Sequence, residues 1–361
     1  MTRGSSISVA ARVGRRQLLA RWCHRLGALP LLQRVRPSAR GELRVLAYHR
    51  VLESQEPQGF SFDPELISAS ADDFRQQMLH LKANFVPMRF DEVVDLLERG
   101  QPLPEGAALV TFDDGYDDNY RIAFPILREL GMSAMFFVST GHIDSGRPYA
   151  YDWLVHMLCS VPAGARVHVP ELDVDWTVED DLPGRRRQAA DLLYRLKLLD
   201  DDGQAALIGR LEAAWGIPRA AGHPDCTPMT WDQLREMQQG GMEIGSHGVD
   251  HRMLAKLPLE RMVAEVQGSK DALERELGVP VQVISYPVGG PDAFNHETVE
   301  AVRAAGFRLA CSYVAGVGRV GPRTQFSLPR LPVERHMDMP WFKAMMAMPE
   351  LFTYASRLRT G

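Results

Sequence analysis

From residue 42 onward, short apolar runs alternate with segments whose apolar positions recur every three or four residues. ELRVLAYHRV (42–51) reads as a strand, and ADDFRQQMLHLKANF (71–85) as a helix behind a Ser70 cap. FVPM then predicts a short strand, FDEVVDLLERG a helix ended by Gly100, and AALVTF a buried strand. DDNYRIAFPILRELG continues as a helix in which Pro125 is a first-turn residue, and SAMFFVS is the next strand. The alternation resumes with helix TWDQLREMQQGG, where Thr230 and Gln233 fit a capping box, and strand MEIGSH. Helix PLERMVAEVQGSKDALERELG and strand VQVISYP follow, then helix NHETVEAVRAAG and strand FRLACSY, and SLPRLPV closes the series.

Strands alternating with helices imply parallel pairing, in a barrel or an open sheet, with a site at the carboxyl ends of the strands. Residues 142–228 break the rhythm with two or three amphipathic helical segments, which reads as a helical insertion forming a lid or flanking subdomain. The expected organisation is a basic arm with a helix near 17–34 over residues 1–41, an α/β unit over 42–335, and a helical tail over 336–361.

Composition adds little to this: 45% hydrophobic and 24% charged residues describe a globular chain with a sizeable core. Charge distribution adds more. Residues 1–50 hold eleven arginines against one acid, Glu42, which makes an anionic membrane surface a candidate partner of the arm; nucleic acid is not expected. No window carries the ~18 apolar residues of a membrane span, and LLARWCHRLGALPLLQ is a poor signal-peptide core, so a cytoplasmic or inner-membrane-face location is expected. Cys23, Cys159, Cys226 and Cys311 are scattered and read as free thiols.

Three candidate constellations fall at predicted strand exits: Asp113-Asp114-Gly115, the His247-x-x-x-His251 pair, and Tyr48-His49. Each alone is weak; in a parallel barrel their exits converge at one mouth. Two imidazoles and a carboxylate suit a divalent ion such as zinc, with cobalt, nickel or iron also accepted. One aspartate would then ligate while its neighbour takes a proton from water, and a histidine would protonate a leaving group. Asp117 and Asp118 read as turn and helix-start residues.

Thr111-Phe112-Asp113-Asp114-Gly115 followed by His247-x-x-x-His251 resembles the polysaccharide deacetylase (NodB-homology) family of carbohydrate esterases, over most of residues 42–335. The resemblance implies a distorted (β/α) barrel of about seven strands and hydrolysis of N-acetyl groups from a glycan such as an exopolysaccharide, a chitin-like oligomer, peptidoglycan or a lipid-linked sugar. It implies Asp113 as general base and Asp114, His247 and His251 as metal ligands. The family's late Leu-x-His acid is missing, but AYHRV matches the branch that looks circularly permuted, which makes His49 the acid; His336 in VERHMD competes. Of the family's Arg-x-x-Tyr/Phe-x-x-Pro motif only Ile284-Ser285-Tyr286-Pro287 is present. By resemblance the Tyr286 backbone N–H faces the oxyanion; the motif's arginine is missing, and Arg330, after the final strand, is expected to partner the base instead. Tyr116, Trp153 and Trp231 are candidates for stacking on sugar rings. The alternatives are an O-acetyl glycan esterase, a carbohydrate-binding module without catalysis, and a chain whose arm is its primary binding element.

Overall fold

The computed structural model describes residues 4–35, 41–55 and 57–354. The sequence expectations for residues 1–3 and 36–40 of the arm and 355–361 of the tail lie outside the described residues.

Seven strands form the centre: β1 (Glu42–Tyr48), β2 (Ala107–Phe112), β3 (Met135–Val138), β4 (Glu243–Ser246), β5 (Val283–Ser285), β6 (Leu309–Ala315) and β7 (Leu328–Pro332). Each pairs in parallel with the next, and β7 pairs back onto β1, closing a barrel in chain order. Every apolar run expected to be a strand contains one, with ends shifted by a few residues; FRLACSY, for instance, starts at Leu309 and runs on to Ala315.

Burial on both faces explains why these strands read as near-continuous apolar runs. Alternate residues fall into two clusters. Leu46, Tyr48, Val110, Phe112, Phe136 and Ile284 pack outward against Phe74, Met78 and Leu81 of helix Ala71–Asn84, Phe124 and Leu127 of helix Phe124–Leu130, and Val266 and Leu273 of helix Leu259–Leu277. Leu43, Val45, Leu109, Phe137, Val283, Leu309 and Leu328 form a second cluster, with Phe90, Val93 and Val94 of helix Phe90–Glu98. Continuing that second period of two places Thr111, Asp113, Ser285 and Arg330 with the same set.

The caps follow the sequence. Ser70 accepts from the Asp73 N–H, Thr230 and Gln233 form the reciprocal box, and Gly100 takes φ +63° after Phe90–Glu98. One helix differs: Asn119–Ala123 winds as a π turn before Phe124–Leu130, with Pro125 in the first turn of the latter.

The insertion contains helices Ala150–Ser160, Leu182–Leu196 and Asp201–Trp215, and also an unexpected antiparallel ribbon, Arg166–Val169 with Val174–Thr177. It has its own core, including Trp153, Leu158, Leu192, Leu207, Ile208 and Leu211, completed by Phe60, Phe62 and Ile67 from the segment after β1. The amino-terminal helices Gly4–Arg25 and Ala28–Val35 pack against the carboxy-terminal helix Met339–Ala347.

Candidate active site

Asp113 leaves the end of β2 on the inward-facing register and meets Arg330 from β7. The guanidinium grips both carboxylate oxygens, Nη1 to Oδ1 at 2.8 Å and Nη2 to Oδ2 at 2.7 Å. It also donates to Thr111 Oγ1 (3.2 Å), Ser285 Oγ (3.0 Å) and the Ser312 carbonyl (2.7 Å). Both partners are sealed from solvent. Burial alone would raise the Asp113 carboxyl, but the Arg330 charge and hydrogen bonds, aided by His247, hold it well below the usual carboxylate range.

The next residue turns the chain. Asp114 and Gly115 both take φ +76°, and a Cβ on Gly115 would sit 2.9 Å from Val138 Cγ1, so only glycine fits there. The turn carries Asp114 Oδ1 to 3.4 Å from His247 Nε2 and 3.3 Å from His251 Nε2. His247 follows β4, and its Nδ1 is 2.8 Å from the Ser285 carbonyl, which fixes the proton there and turns the Nε2 lone pair inward. Glu265 accepts from the Val249 and Asp250 N–H groups and so shapes the loop that brings His251 (φ +57°) back to the cluster. Burial would raise the Asp114 carboxyl too, but the two imidazoles hold it well below its usual range.

Ligand atoms of Asp114, His247 and His251 all lie within 4.8 Å of one another. Asp114 Oδ1 and His247 Nε2 are buried without a hydrogen-bond partner, a costly arrangement unless a cation joins them. A carboxylate with two imidazoles is also a suitable donor set for a divalent ion. The residues fit the metal.

The cluster opens into a cavity of about 830 Å³. His49, Asp114, His251, Val288 and Arg335 line its barrel side, and Tyr151, Arg186, Leu193 and Tyr194 its insertion side. Among the described residues only four non-glycine residues have positive φ, and three of them, Asp114, His251 and Val288, line this cavity. Backbone strain of this kind gathers at functional sites.

The sequence profile of the polysaccharide deacetylase family matches residues 100–310, more than half of the chain. The chain belongs to the polysaccharide deacetylase family. It is 23% identical over 221 residues to the putative polysaccharide deacetylase YxkH of Bacillus subtilis (strain 168), 61% of this chain and 50% of that protein. Over 84 residues it is 31% identical to the poly-beta-1,6-N-acetyl-D-glucosamine N-deacetylase of Escherichia coli (strain K12), 23% of this chain and 12% of that one. The chain thus spans half or less of the curated relatives it matches. Among solved structures, the Streptococcus pyogenes deacetylase PplD in complex with acetate superposes with a TM-score of 0.56 at 18% identity, covering 86% of this chain and all of that one. IcaB from Ammonifex degensii gives 0.53 at 22% identity, covering 85% and 96%. At these identities the structures show the shared fold.

Within this deacetylase barrel, several sequence expectations move. The Tyr286 N–H donates to the Cys311 carbonyl at 3.0 Å, extending the β5–β6 ladder by one residue, and its ring is buried with the hydroxyl on the Phe326 carbonyl (2.8 Å). It is therefore not the oxyanion donor. His336 is 3.0 Å from the Tyr354 hydroxyl and packs on Trp341, away from the cavity lining, which His49 joins.

None of the three aromatics lines the cavity. Trp153 is core to the insertion and donates to the Ile217 carbonyl, Trp231 donates to Asp144, and Tyr116 is buried beneath Arg50 with its ring 4.4 Å from the guanidinium carbon. Tyr151 and Tyr194 occupy the wall instead. Asp118 stands at the start of the helix, at the cap of Asn119–Ala123, as expected; what the sequence did not show is that it is buried, ion-paired to Arg50 at 2.9 Å, and accepts from the Val51 N–H.

Ser285, which serves Arg330 with its hydroxyl and His247 with its carbonyl, was adjacent to Tyr286 in the motif but has no chemistry of its own to signal it.

Proposed function

We propose that the chain is a metal-dependent polysaccharide N-deacetylase that releases acetate from N-acetylated sugar residues, with a polymer of N-acetylglucosamine as the substrate class. The observation that carries this reading is the buried Asp113–Arg330 pair directly beside the Asp114–His247–His251 cluster, which reaches the cavity through Asp114 and His251. Family membership and the activity named for the Escherichia coli relative support it.

A divalent ion held by Asp114, His247 and His251, zinc by default, would supply Lewis acidity and a water acidified to a pKa near ~7. The chain's own residues do the rest. Arg330 keeps Asp113 ionised while leaving each carboxylate oxygen a further lone pair, so Asp113 can accept the proton of the attacking water. A carboxylate held that low is a weak base, which suffices only for an already acidified water. His49, on the cavity wall beside the cluster, delivers a proton to the departing amine. The apolar wall around Leu193 and Leu257 sheds water from around the bound sugar.

The test is acetate release from a short N-acetylglucosamine oligomer after chelation and zinc readdition. Zinc-restored release is expected to fall ~10²–10⁴-fold in Asp113→Asn. No release from a chain that binds one ion would overturn the N-acetyl assignment.

A further inference from the structure

Among its described side chains, 14–25, helix Gly4–Arg25 docks on the molecule by one side. Ala20 is fully buried, Cys23 packs against the main core, and Gln17 and Arg21 hydrogen-bond Asp338, Arg21 at 2.6 Å. At 100° per residue, Leu18, Leu19 and Trp22 fall within about 100° of one another and Trp22 lies about 160° from Ala20. All three are more than half exposed, Trp22 at 61%, and Leu26 (74%) in the turn and Leu31 (63%) on helix Ala28–Val35 are exposed after them. Leu29 and Leu32 hold that second helix down. Other exposed large apolar residues are spread along the rest of the chain. A soluble surface rarely leaves such a contiguous apolar stripe uncovered.

Charge selects what covers it. Residues 1–41 contain nine arginines and no acid, and Arg15 and Arg25 are exposed beside the stripe. Trp and Leu flanked by arginine on a helix lying along a surface is the pattern of an interfacial helix on anionic lipid. No described helix is long and apolar enough to cross a membrane, so the contact would be peripheral. Arg21, near the carboxyl end of the helix, touches Asp338, and the helix runs along Met339–Ala347 and Pro349–Phe352.

We propose that the Leu18–Leu31 face docks on an anionic lipid bilayer. This stands independently of the deacetylase reading, because its test reads no catalysis.

The full chain would be sedimented with vesicles of phosphatidylethanolamine and phosphatidylglycerol, and with pure phosphatidylcholine vesicles. Binding to the anionic vesicles, weakened by salt, is expected to fall about tenfold or more in Leu18→Ser/Trp22→Ser/Leu26→Ser. Arg15→Glu/Arg25→Glu is expected to remove the preference for anionic lipid. Because these residues are exposed, circular dichroism should show both variants folded. Equal binding to both vesicle types, or binding unchanged in the serine variant, would overturn the proposal. So would a dimer, seen by light scattering, that the serine variant dissociates while neither protein binds vesicles, since that would assign the face to a second copy.

Discussion

Arg330 is the counter-charge of a fully buried carboxylate, so its removal strands Asp113. Arg330→Met is expected to cost about 3–5 kcal/mol of stability at pH 7, measured by urea unfolding. The sign with pH follows from the depressed Asp113 carboxyl: the pair's stabilisation is complete above the unfolded value near ~4 and is lost as pH falls towards the folded one. The wild-type advantage over Arg330→Met should therefore shrink only in acid. Asp63 behaves oppositely. Burial first, then the Asp152 charge, raise it to about 7, so the carboxyl must take up a proton on folding and stability is lost as pH rises from about 4 to about 7. Asp63→Asn retains an oxygen for the Glu65 N–H cap and is expected to stabilise the protein by about 1–2 kcal/mol above pH 7, with no gain at pH 4. A gain at pH 4 as well would show that the carboxyl's charge is not the cause. At this scale sequence legibility was uneven. Asp113, Asp114, His247 and His251 stood in recognisable spacing, and Arg330 was reachable as a cation at a strand end. Tyr286 misled because the backbone ladder that engages its N–H is a long-range pairing with β6.

The insertion is tied to the barrel by charge buried between elements. Arg50, just past β1, reaches Asp118 at 2.9 Å, Asp152 on helix Ala150–Ser160 at 3.7 Å and the Asp225 carbonyl at 2.5 Å. Asp152 in turn accepts from the Asp63 N–H, the Tyr116 hydroxyl and the Cys226 thiol. One guanidinium thus joins the β1 exit, the β2 exit and the insertion. Arg50→Met should cost about 3–5 kcal/mol in urea unfolding, and adding Asp118→Asn should recover part of it, because the second change removes the stranded charge. Additive losses would refute that account. The helices of the insertion were legible from their apolar period, while its ribbon was not. Residues 166–169 alternate exposed and buried, but four-residue strands joined through a short 3-10 turn fall below what a period of two can reveal. The helix-start position of Asp118 was legible, but its burial against Arg50 was not, since that partner lies 68 residues away.

The cavity exists only because barrel and insertion each supply a wall, and an ion held by the Asp114–His247–His251 cluster would couple local geometry to the stability of the whole. Without a cation, the fold brings the Asp114 and His247 atoms together unpartnered and sets Asp114 and His251 in left-handed backbone. Both are costs to the native state that a bound ion offsets, while the unfolded chain presents no preformed site. Binding therefore shifts unfolding by mass action: at a hundredfold excess over Kd an ion adds ~2.7 kcal/mol. For a chain of this size that corresponds to a rise in melting temperature of several degrees. Calorimetry should show the melting temperature falling on chelation and returning with zinc. His247→Ala should lose the zinc-dependent rise while its metal-free melting changes far less, since the deletion also relieves one of the crowded partners of Asp114. A zinc-dependent rise that survives in His247→Ala would mean that the ion sits elsewhere. The convergence was foreseeable from strand exits meeting at one mouth, and so was an insertion covering it as a lid, but the residues of its wall were not, because they depend on where a long insertion folds back over that mouth.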